Sequence, residues 1–505
     1  MRTTHSKQHS YLLQFIAISA LSMAMLISAC TKDEFITDGD AKLVFSLDTI
    51  SFDTVFTQRG SATLSLKLYN RHNRFIKVSR IWLEGAPQSA FRMNVDGIAG
   101  SDISDVEIPP DDSIYVFFEV TVDPDQPISI SPFVIEDQAN FMTNGNAQSV
   151  VLEAWGQNAN YLPGRFFGGR QSLFTCDLNE WVWDDPKPYV IFGAMVIDSC
   201  TLVMPPGTQV YIHGGIGRTE DRSPYSDGIL YFFRHGKLQI QGSFDDPVVI
   251  QGDRLESSFG EVPGQWGRIQ LGPMSTGHNI NHAVIKNGIL GLLVDSLADL
   301  TIRNSQISNA SGTNLAGYNA SILAENCLFH TSGGTNVSLI LGGDYDFSYC
   351  TLANYGSPTE ALRASNFTCL DGTALCERPV AAPLNMSFRN SIIYGSSRDE
   401  IALVDGVGEQ DPRFFRYEFK HCVVRVDELV SEEGGHPDFF DFCDPCINGD
   451  FQSLLFADPD MNDYHLDSLS IAQEIAQPVA TLRRDLEGNE RDPTAPDAGC
   501  FEYQD

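Results

Sequence analysis

Positive charge is scarce in this chain. Thirty-three Lys and Arg face 66 Asp and Glu, leaving a formal net charge of −33 and a pI near 4.5. Phosphate backbones are bound by basic surfaces, so this balance excludes a nucleic-acid partner. It also excludes docking on anionic lipid through protein charge. Long apolar runs are equally few. After Tyr11–Ile27 no second run of about 20 apolar residues occurs, so nothing further along is built to span a bilayer. No cysteine lies between Cys30 and Cys176, so whatever folds there does so without a disulfide. Gly-x-Ser-x-Gly, a phosphate loop and a His-Glu-x-x-His helix are all missing, which removes the commonest signatures of hydrolase, nucleotide and zinc-protease chemistry. What remains is a chain of 505 residues, 42% hydrophobic, with 42 glycines, suited to two or three turn-rich folded domains.

Arg2 and Lys7 precede the apolar run, which ends in Leu26, Ile27, Ser28, Ala29 and Cys30. Small residues before a cysteine at this position resemble a lipobox. The resemblance implies a signal peptide over residues 1–29, acylation of Cys30 and attachment to membrane through the lipid. Residues 30–40 then form a tether. Its start, Thr31, Lys32, Asp33 and Glu34, is similar to the export signal of surface lipoproteins in Bacteroidetes-type bacteria, which implies an outer-membrane anchor facing the cell exterior. A plain charged tether facing the periplasm is the alternative.

Residues 41–158 alternate apolar and polar in short runs, as in Leu43, Phe45 and Leu47, or Ile114, Val116, Phe118 and Val120. Turn residues separate them, including Pro109 to Asp112 and Asn144 to Asn146. About seven strands at this spacing predict a β-sandwich. The segments Val78–Glu84 and Pro109–Ser113 resemble immunoglobulin-like modules of the flagellar and centrosomal-protein type, which implies a spacer or adhesive role.

From Ile280 to Val424 one pattern returns six times: apolar, free, polar corner, small, free, apolar. The small positions are Ala283, Ser305, Cys327, Cys350, Ser391 and Cys422, at steps of 22, 22, 23, 41 and 31 residues. A period near 22 is too short for paired helices, which need roughly 33 or more, and suits one turn of a β-solenoid. Alternate residues of a strand share a face. Leu300 and Ile302 therefore point with Ser305 and Ile307 only if the chain bends sharply at Asn304, and Asn tolerates the left-handed backbone such a bend requires. Stacking would place Asn304 over Asn326 and put the six small residues inside one column. This arrangement resembles a right-handed parallel β-helix with an asparagine corner. The fold class is then all-β: an N-terminal immunoglobulin-like β-sandwich followed by a right-handed parallel β-helix over 159–440. Residues 441–505, with Asp485, Arg491, Asp497 and Glu502, resemble the closing segment of surface β-helix proteins, which implies a cap and a structural pairing of Arg491 with a carboxylate.

Eleven cysteines are present. Cys327 and Cys350, on neighbouring coils, read as buried thiols. Cys443 and Cys446 form a CxxC without a second pair suited to zinc, so a loop disulfide is expected there, and another between Cys369 and Cys376. The 41-residue step contains Tyr355–Pro383, either a skipped coil or an insertion loop, and the 31-residue step contains Ser396–Phe415, with Asp399, Glu400, Asp405 and Glu409. Insertions in solenoids often carry binding.

Catalysis on such a scaffold needs a base near carboxylates, or two carboxyl groups flanking a glycosidic bond. Arg268, Lys286, Arg303 and Arg389, like Asp295, Asp299 and Glu325, are scattered at outward positions, and Asp344 with Asp346 is the nearest approach to a pair. His278, His282 and His330 are candidates for one face. No catalytic residue and no metal ligand is assigned. Calcium is the one cofactor left open, because hard cations take oxygen ligands. The expected function is a lipid-anchored, non-enzymatic adhesion or glycan-binding module with a glycan or cell-surface ligand. A polysaccharide lyase or glycoside hydrolase on the β-helix face is the alternative.

Overall fold

A computed structural model describes residues 34–56, 61, 63–122, 133–163, 172–218, 224–369, 378–406 and 413–504. Cys30, Cys376, Glu409 and the whole of segment 1–33 lie outside the described residues. Among those described, no helix is long and apolar enough to cross a membrane. The chain divides into two compact units, 1–158 and 159–505.

The first unit is a β-sandwich. One sheet carries Val44–Phe45, Leu64–Tyr69, Ser113–Val120, Phe91–Val95 and Ile98–Ala99. The other carries Thr49–Phe56, Asn146–Gln157, Phe133–Thr143, Ile76–Leu83 and Asp102–Ile108. Strict alternation drives the packing. Along Ser113–Val120, Ile114, Val116, Phe118 and Val120 are buried while Tyr115 and Phe117 are exposed. The inward residues of both sheets merge into one core with Leu66, Ile81, Phe141 and Leu152.

The second unit is a parallel β-helix with three faces per coil. Face A runs from Asn160–Pro163 through strands such as Ala283–Lys286, Gln306–Ser308, Leu328–His330, Thr351–Asn354, Ile392–Gly395 and Cys422–Val424 to Cys446–Asn448. Face B includes Ile229–Phe232, Arg268–Leu271, Leu292–Val294, Leu362–Ser365 and Ile401–Val404. Face C includes Lys237–Gln241, His278–Asn281, Asp299–Arg303, Leu384–Arg389 and Phe415–Lys420. Faces B and C join where Leu315–Glu325 and Val337–Ser348 run unbroken through the bend between them.

The C-to-A corner is the repeated motif. His282, Asn304, Asn326, Tyr349, Asn390 and His421 all have φ between 47° and 54°. Each is followed by its small residue, and Ala283, Ser305, Cys327, Cys350, Ser391 and Cys422 are at most 1% exposed. Small size is needed there because the chain turns back on itself. The column is also bonded: Ala283 N–H donates to Ser305 Oγ at 3.0 Å and Cys350 N–H to Ser391 Oγ at 3.1 Å. The 41-residue step is a single coil, since Thr351–Asn354 pairs directly with Ile392–Gly395. Its extra length is a hairpin, Phe367–Cys369 with Pro379–Ala381, set at the B-to-C bend.

The segment 441–505 departs from the expected end cap. Cys446–Asn448 adds one more strand to face A. The coil end is instead closed by 426–443, where Val426, Leu429, Phe439 and Cys443 complete the internal core. Residues from about 455 onward pack along the outer side of face A. Leu455, Phe456, Tyr464, Leu466 and Cys500 cover Leu328, Tyr349, Ile392, Tyr394 and Val423. The physical reason is that face A is apolar on both sides in these coils: Leu328, Ile392 and Val423 occupy outward positions that water would otherwise meet.

Candidate functional site

Most charged candidates serve the coil stack. Asp346 pairs with Arg389 at 2.9 Å, one rung away, and Asp344 Oδ1 accepts from Asn385 Nδ2 at 3.3 Å. Arg303 pairs with Glu325 at 2.5 Å and Lys286 with Glu261 at 3.5 Å. Asp299 Oδ1 accepts from the Gly277 N–H. Each carboxylate has a partner on a neighbouring rung or turn, so Asp344 and Asp346 do not form a reacting pair.

The three histidines do not converge. His278 lies inside the coil, its Nδ1 accepting from the Leu238 N–H at 3.1 Å and its Nε2 near Ser275 Oγ. His330 is buried on face A against Tyr464 and bonded to Gln306 and Thr331. Burial holds both imidazoles neutral, with pKa values pushed down to about 4. His282 sits at its corner against Phe244.

The insertions are built structurally too. Asp399 accepts three N–H bonds, from Asp427, Glu428 and Leu429. Glu400 is fully buried and accepts from Ser397 N–H, Ala361 N–H and Asn354 Nδ2. Asp405 accepts from Asn366 Nδ2 at 2.6 Å, and Gly406 N–H donates to Asn366 Oδ1, which ties the two insertions to each other at the B-to-C bend.

Cys443 and Cys446 are bonded to each other, and Cys369 is disulfide-bonded. Cys327, Cys350, Cys422 and Cys500 are buried thiols. Sequence reasoning missed a further disulfide, Cys176–Cys200, at 4.8 Å between Cα atoms. Its separation of 24 residues, close to one coil, was the available signal. The two cysteines meet at a turn between faces, where the side chains can converge, rather than side by side within parallel strands.

The arrangement that stands out is a cleft of about 530 Å³ at the coil end. It opens between the last face-C strand, Phe415–Lys420, and the cap. Phe415, Tyr417, His436 and Phe442 form an aromatic lining, with Arg416, Glu418 and Asp438 at the polar edge. Tyr417 is fixed by Phe439 and by Phe442, whose ring centroid lies 5.2 Å away. Burial, reinforced by the Asp438 charge, holds the Tyr417 phenol protonated. Asp438 supplies the anomaly: its Oδ1 is buried yet accepts no hydrogen bond among the described residues. A desolvated carboxylate oxygen without a donor is costly. No sequence pattern marked this site, because its lining residues come from two separate segments, 415–418 and 436–442, and none belongs to the repeated motif.

No protein-family model matches the chain, and no curated protein sequence matches it. Solved structures align only remotely. A protein of unknown function from Porphyromonas gingivalis W83 is 10% identical over 28% of this chain and 59% of its own, with a TM-score of 0.17. A mutant of the periplasmic alginate epimerase AlgG is 10% identical over 48% and 65%, with a TM-score of 0.25. A family 123 glycoside hydrolase from Clostridium perfringens is 7% identical over 26% and 27%, with a TM-score of 0.18. The chain spans less than two thirds of the length of each of these three. At such values the likeness assigns no activity.

Proposed function

We propose that this chain is a lipid-anchored envelope protein whose β-helix binds glycan without turning it over, using the cleft at the coil end. The carrying observation is the aromatic lining of Phe415, Tyr417 and Phe442 with Glu418 and Asp438 at its polar edge. A sugar ring suits this lining, since its C–H face packs on Phe442 or Tyr417 and its hydroxyls donate to the carboxylates at the edge. Binding without turnover is favoured because the face-C carboxylates are engaged in rung-to-rung bonds. Anchoring at Cys30 and display outside the cell rest on the sequence alone, and protease shaving of intact cells tests display: survival of the body contradicts it.

The binding test is a glycan array probed with the purified chain, followed by calorimetry on any hit. Binding of at least one glycan is expected, weakened about tenfold or more by Phe442→Ala and by Asp438→Asn, as for an aromatic anchor covered by the ligand and its polar partner. A blank array, or affinities indifferent to both substitutions, overturns the reading. So does a new reducing end or unsaturated product appearing on incubation with the hit.

A further inference from the structure

We propose that Tyr231, Arg268, Gln270 and Asp295 form a second recognition site, on face B, for a carboxylate-bearing saccharide. The outward side chains of face B are largely apolar or small: Val196, Leu293, Ala316, Ile340, Ala402 and Val404. The polar group interrupts that surface over three successive coils, with Tyr231 in register with Gln270 and Asp295 just past the next strand.

The group is held rigidly. Trp266, 1% exposed, donates its indole N–H to the Lys286 carbonyl at 2.9 Å. Gly267 packs so closely that an added Cβ would lie 2.9 Å from the Asp227 carbonyl oxygen. Arg268 follows directly from this anchor. Its Nε donates to Gln270 Oε1 at 2.9 Å, and Gln270 Nε2 donates to Asp295 Oδ2 at 3.1 Å. One amide therefore stands between the cation and the carboxylate. On the neighbouring face the arginines pair directly, Arg303 with Glu325 and Arg389 with Asp346. Here the terminal guanidinium nitrogens bond to no described residue, and they are not sealed from solvent.

A half-buried guanidinium without a direct counter-ion keeps its charge and presents a planar fork, which matches a carboxylate. Burial opposes its charge while Asp295 and Tyr231 support it, so an arriving anion restores what desolvation removed. The Tyr231 side chain lies across Gly272, where a Cβ would come within 2.7 Å of the phenol oxygen. The ring is thereby placed beside the cation as a flat wall, and Asp295, which accepts from Gln270 at Oδ2 and from the Ser296 N–H at Oδ1, keeps a second lone pair on each oxygen for hydroxyls. Carboxylate, hydroxyls and a ring face together describe an acidic sugar. In a chain with a net charge of −33, an acidic peptide would meet repulsion without these compensating contacts.

The test is calorimetry of the purified full chain with trigalacturonate, maltotriose and an Asp/Glu-rich hexapeptide as probes. Saturable binding of trigalacturonate, weakened by added salt, is expected, with maltotriose and the peptide weaker at this site. Arg268→Gln should lower trigalacturonate affinity about tenfold or more, and Arg268→Lys should lower it as well at an unchanged melting temperature, since the lysine keeps the charge and loses the fork. Phe442→Ala in the distant cleft should leave it unchanged. Failure of trigalacturonate to bind overturns the proposal, as does wild-type affinity in both Arg268 variants or a preference for the peptide. A response to Phe442→Ala instead assigns the binding to the coil-end cleft and overturns this site while sparing the cleft.

Discussion

The guanidinium of Arg491 lies 4.0 Å from the ring centroid of Tyr349. Tyr349 is itself a corner residue with φ of 53°, an uncommon conformation for a bulky side chain. The contact is one of a line. His421 bonds to the Ile475 carbonyl, Asn390 exchanges two bonds with Gln477, Tyr349 Oη donates to the Gln477 carbonyl, and Asn326 bonds to Arg484 and Arg491. The closing segment is thus fastened along the corner column that the repeat creates. Arg491 also pairs with Glu502 at 3.3 Å, with their side chains 2% and 7% exposed. Removing one member of a buried pair leaves the other desolvated, so Arg491→Met should cost about 3–5 kcal/mol. Limited proteolysis should cut the variant first within 455–504 while the coils stay protected. Cleavage that begins in the coils would contradict a strap fastened at Arg491.

Asn304 gives a cleaner measure of the corner, because its partners belong to the coils alone. Its Nδ2 donates to Asn281 Oδ1 at 3.0 Å and its Oδ1 accepts from Asn326 Nδ2 at 3.1 Å. Asn304→Gly removes two hydrogen bonds, about 1–2 kcal/mol, and keeps the left-handed backbone accessible. Asn304→Ala loses the same bonds and adds about 1–2 kcal/mol of backbone strain. Urea denaturation should rank wild type above glycine above alanine. Equal midpoints for the two variants would show that the backbone conformation at this corner is not under strain.

The corner was legible in the sequence because its physics is local. A small residue after a polar one, at one-coil spacing, is forced by the turn itself, and Ser305, Cys327 and Cys350 occupy the same column for that reason. The sandwich was legible for the same cause, through the period-2 alternation of Ile114 to Val120. The strap was not, because its partners are remote: Arg491 meets Asn326 across 165 residues. One clue was present. Ile392 and Ile393 are adjacent apolar residues, as are Val423 and Val424 in the next strand, and a strand buried on both sides needs a second cover. The cleft was illegible altogether, since Asp438 becomes unusual only when the cap folds over Tyr417.

Glu400 makes stability depend on pH. It is fully buried, and desolvation, opposed by three hydrogen bonds and Arg425, raises its pKa from 4.5 to about 7. The folded chain therefore holds this proton more tightly than the unfolded chain. The contribution is fully present below about pH 4.5 and is lost as pH rises through about 7, amounting to about 3 kcal/mol over that window. His278 and His330 act in the opposite sense between about pH 4 and 6.5, because burial lowers their pKa values. The quantity to measure is the difference in urea midpoint between wild type and Glu400→Gln at pH 5 and pH 8. Wild type should lose more stability than the variant on going to pH 8, and parallel pH profiles would refute the assignment.

The coil end tests whether this β-helix unfolds as one body or rung by rung. Phe347, Phe388, Phe419 and Phe439 form a fully buried column, with successive ring centroids 4.5, 5.4 and 5.4 Å apart. Phe439 is its last member and comes from the cap rather than from a strand. Phe439→Ala should cost about 3–5 kcal/mol through the cavity it leaves. Phe442→Ala, at a position 45% exposed, should cost less than about 1 kcal/mol. Each coil touches only its neighbours, so the damage from Phe439→Ala should stay near the end. Hydrogen exchange should quicken in 415–448 and remain slow in the coils from Ile229 to His330. Uniform acceleration along the whole unit would instead mean that the strap, which spans many coils along face A, makes them cooperative, and stability could not then be apportioned to single rungs.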